Sequence, residues 1–331
     1  MRFEPPFCPN TRCSAHSGRP FRFHRIGTFR RKCDGRCVQR FFCRECRRSF
    51  SSQAFRLDYR LKRPRLHLDL WNLFVSKVTH RQSARLLGCN RKTLAQRLWL
   101  LGEHCQRWHL ARLQQRALVG AFQLDELETF EHSRRLQPLT VPVLIQRQSY
   151  LVVDLAVAPL PCRGGLREAD RRRKAQREAL YGKRRSGSRA AVEGCLSTLA
   201  GCLGGMGLLE SDAKPAYAAS VRRVLGHSAA HVRHPGRGRR DYGHPLFAIN
   251  LFAINHTLAM LRDGISRLVR RTWAASKKGG WLQRHLWIWV CWRNYVRGIT
   301  NRASAITPAM VAGLAQRRLS KDEILAWKVT A

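Results

Sequence analysis

Apolar and polar positions change period along this chain, and each change marks an element. Short alternating runs over residues 27–33 and 38–42 flank Asp34-Gly35, the signature of two strands around a tight turn. Residues 66–75 carry apolar positions at helical spacing. Residues 79–87 and 91–101 repeat that spacing on either side of Gly88-Cys-Asn90, which predicts two helices joined by a tight turn, with Asn90 capping the second. The period then shortens to two, and residues 117–124, 139–145 and 150–158 read as an antiparallel meander. A helix at 190–203, a strand at 206–212, a helix opened by Pro215 and a strand at 229–234 follow. A loop over 235–243 leads into one long helix predicted across 246–273. Trp281, Trp287, Trp289 and Trp292 lie on a further helix and read as core packing; Thr307-Pro308 and the capping-box spacing Ser320-Lys-Asp-Glu323 open two more. From 117 to 273 the order is three strands, then helix and strand in alternation. That order predicts an α/β multidomain protein whose core is a mixed sheet.

Composition draws the boundaries. Residues 1–57 are rich in Cys, Arg and Phe; 58–116 form the helical pair; 117–273 hold the mixed-sheet core; and 274–331 are a helical C-terminal region. Within the core, residues 163–189 are dense in Arg and Lys with little to bury, and read as an exposed basic insertion suited to phosphate. Lys and Arg number 62 against 21 for Asp and Glu, a net charge of +41. Such a chain repels itself until polyanions neutralise it, so nucleic acid is the expected partner. An RNA- or ribosome-binding protein or a cationic membrane-surface protein would share that charge, although no basic amphipathic helix stands alone here. The apolar run Leu286-Trp-Ile-Trp-Val-Cys-Trp292 is too short to cross a bilayer, so no membrane is expected. The opening Met1-Arg-Phe-Glu-Pro-Pro is unlike a signal peptide, so the 12 cysteines are expected to be reduced.

Reduced, paired cysteines point to metal. Cys8-x4-Cys13 and Cys43-x2-Cys46, separated by a hairpin-sized insert, have the layout of a zinc ribbon, and Zn²⁺ would supply stability that so small a domain lacks. Cys33 and Cys37 flank the turn and are either ordinary thiols or ligands displacing one of those pairs. In the helical pair, Arg91, Lys92 and Gln96 would face outward from the first turns of the second helix, where DNA is read. Two apolar strands run into carboxylates, at Asp125 and at Asp212, and a buried charge is costly unless it binds something positive. A third polar group, Asn255, lies seven residues before Arg262 on the long helix. Arg262, Arg267, Arg270 and Arg271 are further candidates for phosphate contacts. Two carboxylates and a third ligand suit Mg²⁺ or Mn²⁺ and two-metal phosphoryl transfer. One irregularity touches this helix: Leu246-Phe-Ala-Ile-Asn250 is repeated at once as Leu251-Phe-Ala-Ile-Asn255. Five residues turn a helix by about 500°, so only one of Asn250 and Asn255 can face the site.

These blocks, in this order, resemble bacterial insertion-sequence transposases of the DDE type. The resemblance rests on Phe42-Cys-Arg-Glu-Cys-Arg-Arg-Ser-Phe-Ser51 behind the first cysteine pair, the helix-turn-helix after it, Leu124-Asp-Glu126, Glu210-Ser-Asp212, and the helix carrying Asn255 and Arg262. It implies a ribonuclease-H-like core with Asp125, Asp212 and Asn255 as catalytic metal ligands. It also implies DNA cleavage and strand transfer at element ends, double-stranded DNA as partner, a homo-oligomer, and a bacterial cytoplasmic, nucleoid-associated location. Relatives commonly carry Glu where this chain has Asn255. That departure, with the duplication, also admits a catalytically impaired DNA-binding regulator derived from a transposase.

Overall fold

Two compact units make up the chain, one of Met1–Leu70 with Lys321–Ala331 and one of Trp71–Ser320. The structure is a computed structural model, and it describes residues 3–17, 21–235, 251–269, 272–302 and 306–328. The units divide the chain differently from its composition. The helical pair and most of the C-terminal region belong with the sheet, and the last residues belong with the cysteine-rich segment.

In the first unit, β1 (Phe23–Arg30), β2 (Cys37–Cys43) and β3 (Ser49–Ser51) form an antiparallel sheet. The predicted hairpin is therefore present, with its turn around Gly35, which takes φ 69°. Its core is small: Val38, Phe41, Cys43, Phe55 and Leu57 are buried. The chain's last turns add to it. Lys328 donates from its backbone to Phe55, and the Trp327 ring stacks on Phe3 at 4.3 Å. An ion network stiffens the turn: buried Asp58 accepts from Arg31 at 2.9 Å and from Arg56 at 2.9 Å. The helix α1 (Leu66–Val75) begins in this unit and ends in the next.

In the second unit, α2 (His80–Leu86) and α3 (Arg91–Leu113) form the expected pair. Thr79 and Gln82 build a capping box on α2, and Asn90 Oδ1 accepts from the Lys92 amide at the start of α3. The sheet contains β4 (Ala121–Phe130), β5 (Pro138–Gln146), β6 (Leu151–Leu155), the short β7 (Ala158–Pro159), β8 (Gly207–Asp212) and β9 (Ala229–His234). Its order is β6-β5-β4-β8-β9, with β7 beside β5. The meander β4-β5-β6 is antiparallel; β8 and β9 run parallel to β4. The protein is thus α/β with a mixed sheet. All of β5 is buried, including Thr140 and Gln146, so helices cover both faces, as its largely apolar sequence requires.

Between β7 and β8 come α4 (Glu168–Tyr181) and α5 (Ser188–Ala200). The basic insertion is therefore helical over much of its length, yet α4 buries none of its residues. Its support is local: Glu168 accepts from Arg171 at 3.0 Å and from Arg172 at 3.2 Å. Then come α6 (Pro215–Val224), α7 (Phe252–Gly264), α8 (Gly279–Cys291), α9 (Pro308–Val311) and α10 (Lys321–Ala326). The long helix predicted over 246–273 is cut short, because α7 stops at Gly264 and Ile265 turns extended at φ −120°. A Cβ on Gly264 would lie 2.5 Å from Trp289 Nε1, so glycine there admits the ring and the helix ends.

Trp287 and Trp289 are fully buried on α8, as core packing predicts. The helix crosses α3 so closely that a Cβ on Gly102 would fall 2.3 Å from the Arg284 carbonyl. Past α8, one π-helical turn, Trp292–Val296, finishes the sheet edge. The Asn294 amide accepts from Val152 N–H at 3.0 Å and donates to its carbonyl at 2.9 Å, satisfying backbone that an edge strand would expose.

Candidate functional site

Four sulfurs converge in the first unit. Cys8 and Cys13 come from the N-terminal loop, Cys43 from the end of β2, and Cys46 from the turn after it. Cys8 Sγ lies 3.7 Å from Cys46 Sγ, and Cys13 Sγ lies 3.8 Å from Cys43 Sγ. All four sulfurs fall within 4.8 Å of one another. Zinc–sulfur bonds of about 2.3 Å in a tetrahedron place sulfurs about 3.8 Å apart, so this quartet is compatible with one structural Zn²⁺. Cys33 and Cys37 are exposed and outside the quartet.

The second cluster rises from the sheet. The register of parallel β4 and β8 pairs Gln123 with Glu210 and Leu124 with Ser211. One residue further stand Asp125 and Asp212, on neighbouring strands about 4.8 Å apart. Alternation along the strands puts Gln123 and Asp125 on one face, with Glu210 and Asp212 beside them. Burial is the largest influence on Asp125, and with Asp212 and Glu126 nearby it pushes the carboxyl up to about 6. Asp125 Oδ1 accepts from the Glu126 amide at 2.6 Å, and Asp212 Oδ1 accepts from the Lys214 amide at 3.2 Å.

Other groups complete the surroundings, none of which the sequence pattern singles out for a role. On the opposite face of β4, the Glu126 carboxylate accepts from Ser188 Oγ and pairs with Lys214 Nζ. Lys214 also lies over the Tyr217 ring at 5.1 Å. Burial and then Glu126, Asp125 and Asp212 hold the Tyr217 hydroxyl neutral, far above its ordinary range. One pleat back, Glu210 is buried and accepts from Gln123 Nε2 at 2.8 Å and from Arg147 Nη1 at 2.9 Å. Gln123 Oε1 in turn accepts from the Ile254 amide at 3.0 Å, which ties the first turn of α7 to the carboxylate strand. The available signal was strand alternation: Gln123 and Glu210 sit two residues before Asp125 and Asp212.

The third candidate is placed differently from the first two. Asn255 lies in that first turn of α7 but on its exposed side, whereas Ile254, Thr257, Leu258 and Leu261 face inward. Arg262 is half-buried at the other end of α7. Asp263, further along, is tied to Lys77 at 3.2 Å. Arg267 lies beyond the helix, on a 3₁₀ turn, with Nη2 2.8 Å from His80 Nε2 and Nη1 3.3 Å from Ser276 Oγ. Burial lowers Arg267 to about 10, and burial with Arg267 beside it holds the His80 imidazole neutral. Asn250, Arg270 and Arg271 lie outside the described residues.

On the helical pair, Arg91, Lys92 and Gln96 are all exposed on the first two turns of α3, while Leu94, Leu98 and Leu101 are buried beneath them. Their side chains are therefore available to a partner. No described helix is long and apolar enough to cross a membrane. No protein-family model matches the chain, and no curated protein matches it.

Proposed function

We propose that the chain is a DNA transposase that cuts and joins DNA at the ends of an insertion sequence. The observation that carries this reading is the pair Asp125 and Asp212, set on adjacent parallel strands at the middle of a mixed sheet. The strand order, an antiparallel meander extended by two parallel strands, fits a ribonuclease-H-like core. The cysteine quartet fits a zinc ribbon, the exposed start of α3 fits a DNA-reading helix, and a net charge of +41 suits a polyanionic partner.

In this reading Asp125 and Asp212 would hold Mg²⁺ or Mn²⁺. Asp125 is a carboxyl raised by burial and by carboxylate neighbours, the setting that a bound cation relieves. Bound there, the metal would activate a water or 3′-hydroxyl and stabilise the leaving oxygen. Asn255 offers a carbonyl but no charge. Gln123 accepts from the Ile254 amide and so ties the start of α7 to the strand that carries Asp125, with Asn255 the next residue, on the exposed side of that turn. Lys214 balances Glu126 and keeps cationic charge beside the pair. Arg91, Lys92 and Gln96 would read base edges and phosphates; the exposed Arg and Lys of α4 would add contacts common to all DNA. A homo-oligomer and a nucleoid-associated location belong to the same proposal.

The second reading is a DNA-binding regulator with an impaired core. It is favoured by the exposed, uncharged Asn255 at the end of the pentapeptide duplication. One assay separates the two: cleavage of supercoiled DNA carrying the gene's own flanks, with Mg²⁺ or Mn²⁺. The transposase reading expects cleavage that falls on the order of 10²-fold or more in Asp125→Ala and Asp212→Ala. Asn255→Glu should keep or raise it, and Asn255→Ala should lower it. Specific binding with no cleavage by either the parent or Asn255→Glu would support the regulator.

A further inference from the structure

The π-helical turn after α8 holds a guanidinium for which neither the sheet nor the carboxylate pair has a use. Single π turns are uncommon and recur at functional sites. Two of this turn's side chains serve the fold: Asn294 closes the sheet edge, and the Tyr295 hydroxyl lies 2.9 Å from His109 Nδ1. Arg293 does neither. Its side chain is 0% exposed, and Nε, Nη1 and Nη2 all lack a hydrogen-bond partner among the described residues.

Two further groups share its surroundings. Arg297, four residues on, packs over Trp292 and donates from Nη2 to Asn301, but its Nε is buried and unmatched. His256, in the first turn of α7, has a buried and unmatched Nδ1. Its ring meets Tyr150 edge-on at 5.7 Å, and Tyr150 is held in left-handed backbone at φ 59°. Burial, then Arg293 and Arg297, keep His256 below its ordinary range. Burial and Arg297 lower Arg293 to about 10, and Tyr150 opposes them weakly. No carboxylate pairs with Arg293 or Arg297 among the described residues.

A buried cation without a counter-charge is strongly unfavourable, and buried donors are almost always matched. The match for buried, unpaired guanidinium donors is an oxyanion, and two guanidiniums and an imidazole with five unmatched nitrogens suit phosphate better than a two-oxygen carboxylate. We propose that Arg293, Arg297 and His256 form a buried site for a phosphate-class oxyanion, with Arg293 at its base. The site uses neither Asp125 nor Asp212 and does not depend on the transposase reading. It lies beside the helix turn that carries Asn255, so an occupant would also steady that turn.

The test is thermal unfolding of the full chain in inorganic phosphate and in chloride at matched ionic strength. The parent protein should gain a saturable rise in Tm with phosphate. Arg293→Met, close in shape and uncharged, should lose that rise and unfold at higher temperature than the parent in chloride. Arg297→Gln and His256→Leu should raise the half-saturating phosphate by about tenfold, the loss of one charge-assisted hydrogen bond each. Arg172→Met, on the exposed α4, should respond like the parent and so separates surface charge from the site. A parallel arm replaces phosphate by a duplex without terminal phosphates. A gap between parent and Arg293→Met seen with duplex alone would make the occupant a backbone phosphodiester. Equal responses of parent and Arg293→Met in both arms would overturn the proposal. So would an Arg293→Met that loses stability equally in phosphate and chloride, since the guanidinium would then be structural.

Discussion

Asp125 is a carboxyl that the fold makes costly to ionise. Its folded value of about 6 lies above the ordinary 3.8, so ionisation disfavours the folded state once pH rises through this interval. Below about pH 4 the group is neutral folded and unfolded, and the cost vanishes. Asp125→Asn should therefore stabilise the metal-free protein by about 1–3 kcal/mol at pH 7. The advantage should fade between pH 6 and pH 4, as read by unfolding in chelator at each pH. An advantage independent of pH would mean that the substitution acts through packing. Asp125 and Asp212 were legible because each ends an apolar run. Lys214 was not: a lysine two residues past a strand is ordinary in sequence, and only the fold brings its ammonium to Glu126 across 88 residues.

At the scale of elements, α3 serves two ends. Its first turns expose Arg91, Lys92 and Gln96, and its middle packs on α8 through Gly102. Gly102→Ala places a Cβ against Arg284 backbone, which cannot swing away. It should cost about 1–3 kcal/mol of stability, despite alanine's better helix propensity, measurable by denaturant unfolding. The exposed turns lead to a different test. Arg91→Ala and Gln96→Ala should erode preference for the flanking DNA over random DNA, whereas neutralising Arg171, Arg172 and Arg173 on α4 should weaken both alike. Competition binding at two salt concentrations distinguishes these patterns, and uniform losses for every variant would refute the division. The helix in the basic insertion escaped a reading based on burial, because α4 is held by its own ion pairs and buries nothing. The helix over 246–273 was overextended for the opposite reason: its apolar run continues, but Trp289 of a distant helix packs where Gly264 makes room.

For the molecule as a whole, stability divides between two units of unlike construction. The first has three short strands and a small core around its sulfurs, so zinc would supply much of its folding free energy, on the order of 10 kcal/mol by analogy with small zinc domains. Chelation, or Cys43→Ser, should unfold residues 3–70 while the sheet of the second unit keeps its protected amides. Hydrogen exchange followed by peptide would show it, and undiminished protection around β2 without metal would count against a structural zinc. The second unit has helices on both faces of a sheet whose central strands are largely buried, so its fold is expected to persist when that ion is removed.

Much of this protein could be written down from its sequence. The cysteine pairs, the capped helical pair, the meander, the later strands and the run into Asp125 are set by local spacing, capping chemistry and hydrophobic period, which act within a few residues. The tertiary structure decided what depends on contacts across long separations. It assigned the last residues to the first unit, ended α7 at Gly264, left Asn255 exposed beside a buried Ile254, and set Arg267 against His80. It also gathered Arg293, Arg297 and His256 from elements nearly 40 residues apart. Such outcomes follow from packing and desolvation, whose strength depends on which distant atoms exclude water, and no local pattern in the chain encodes that.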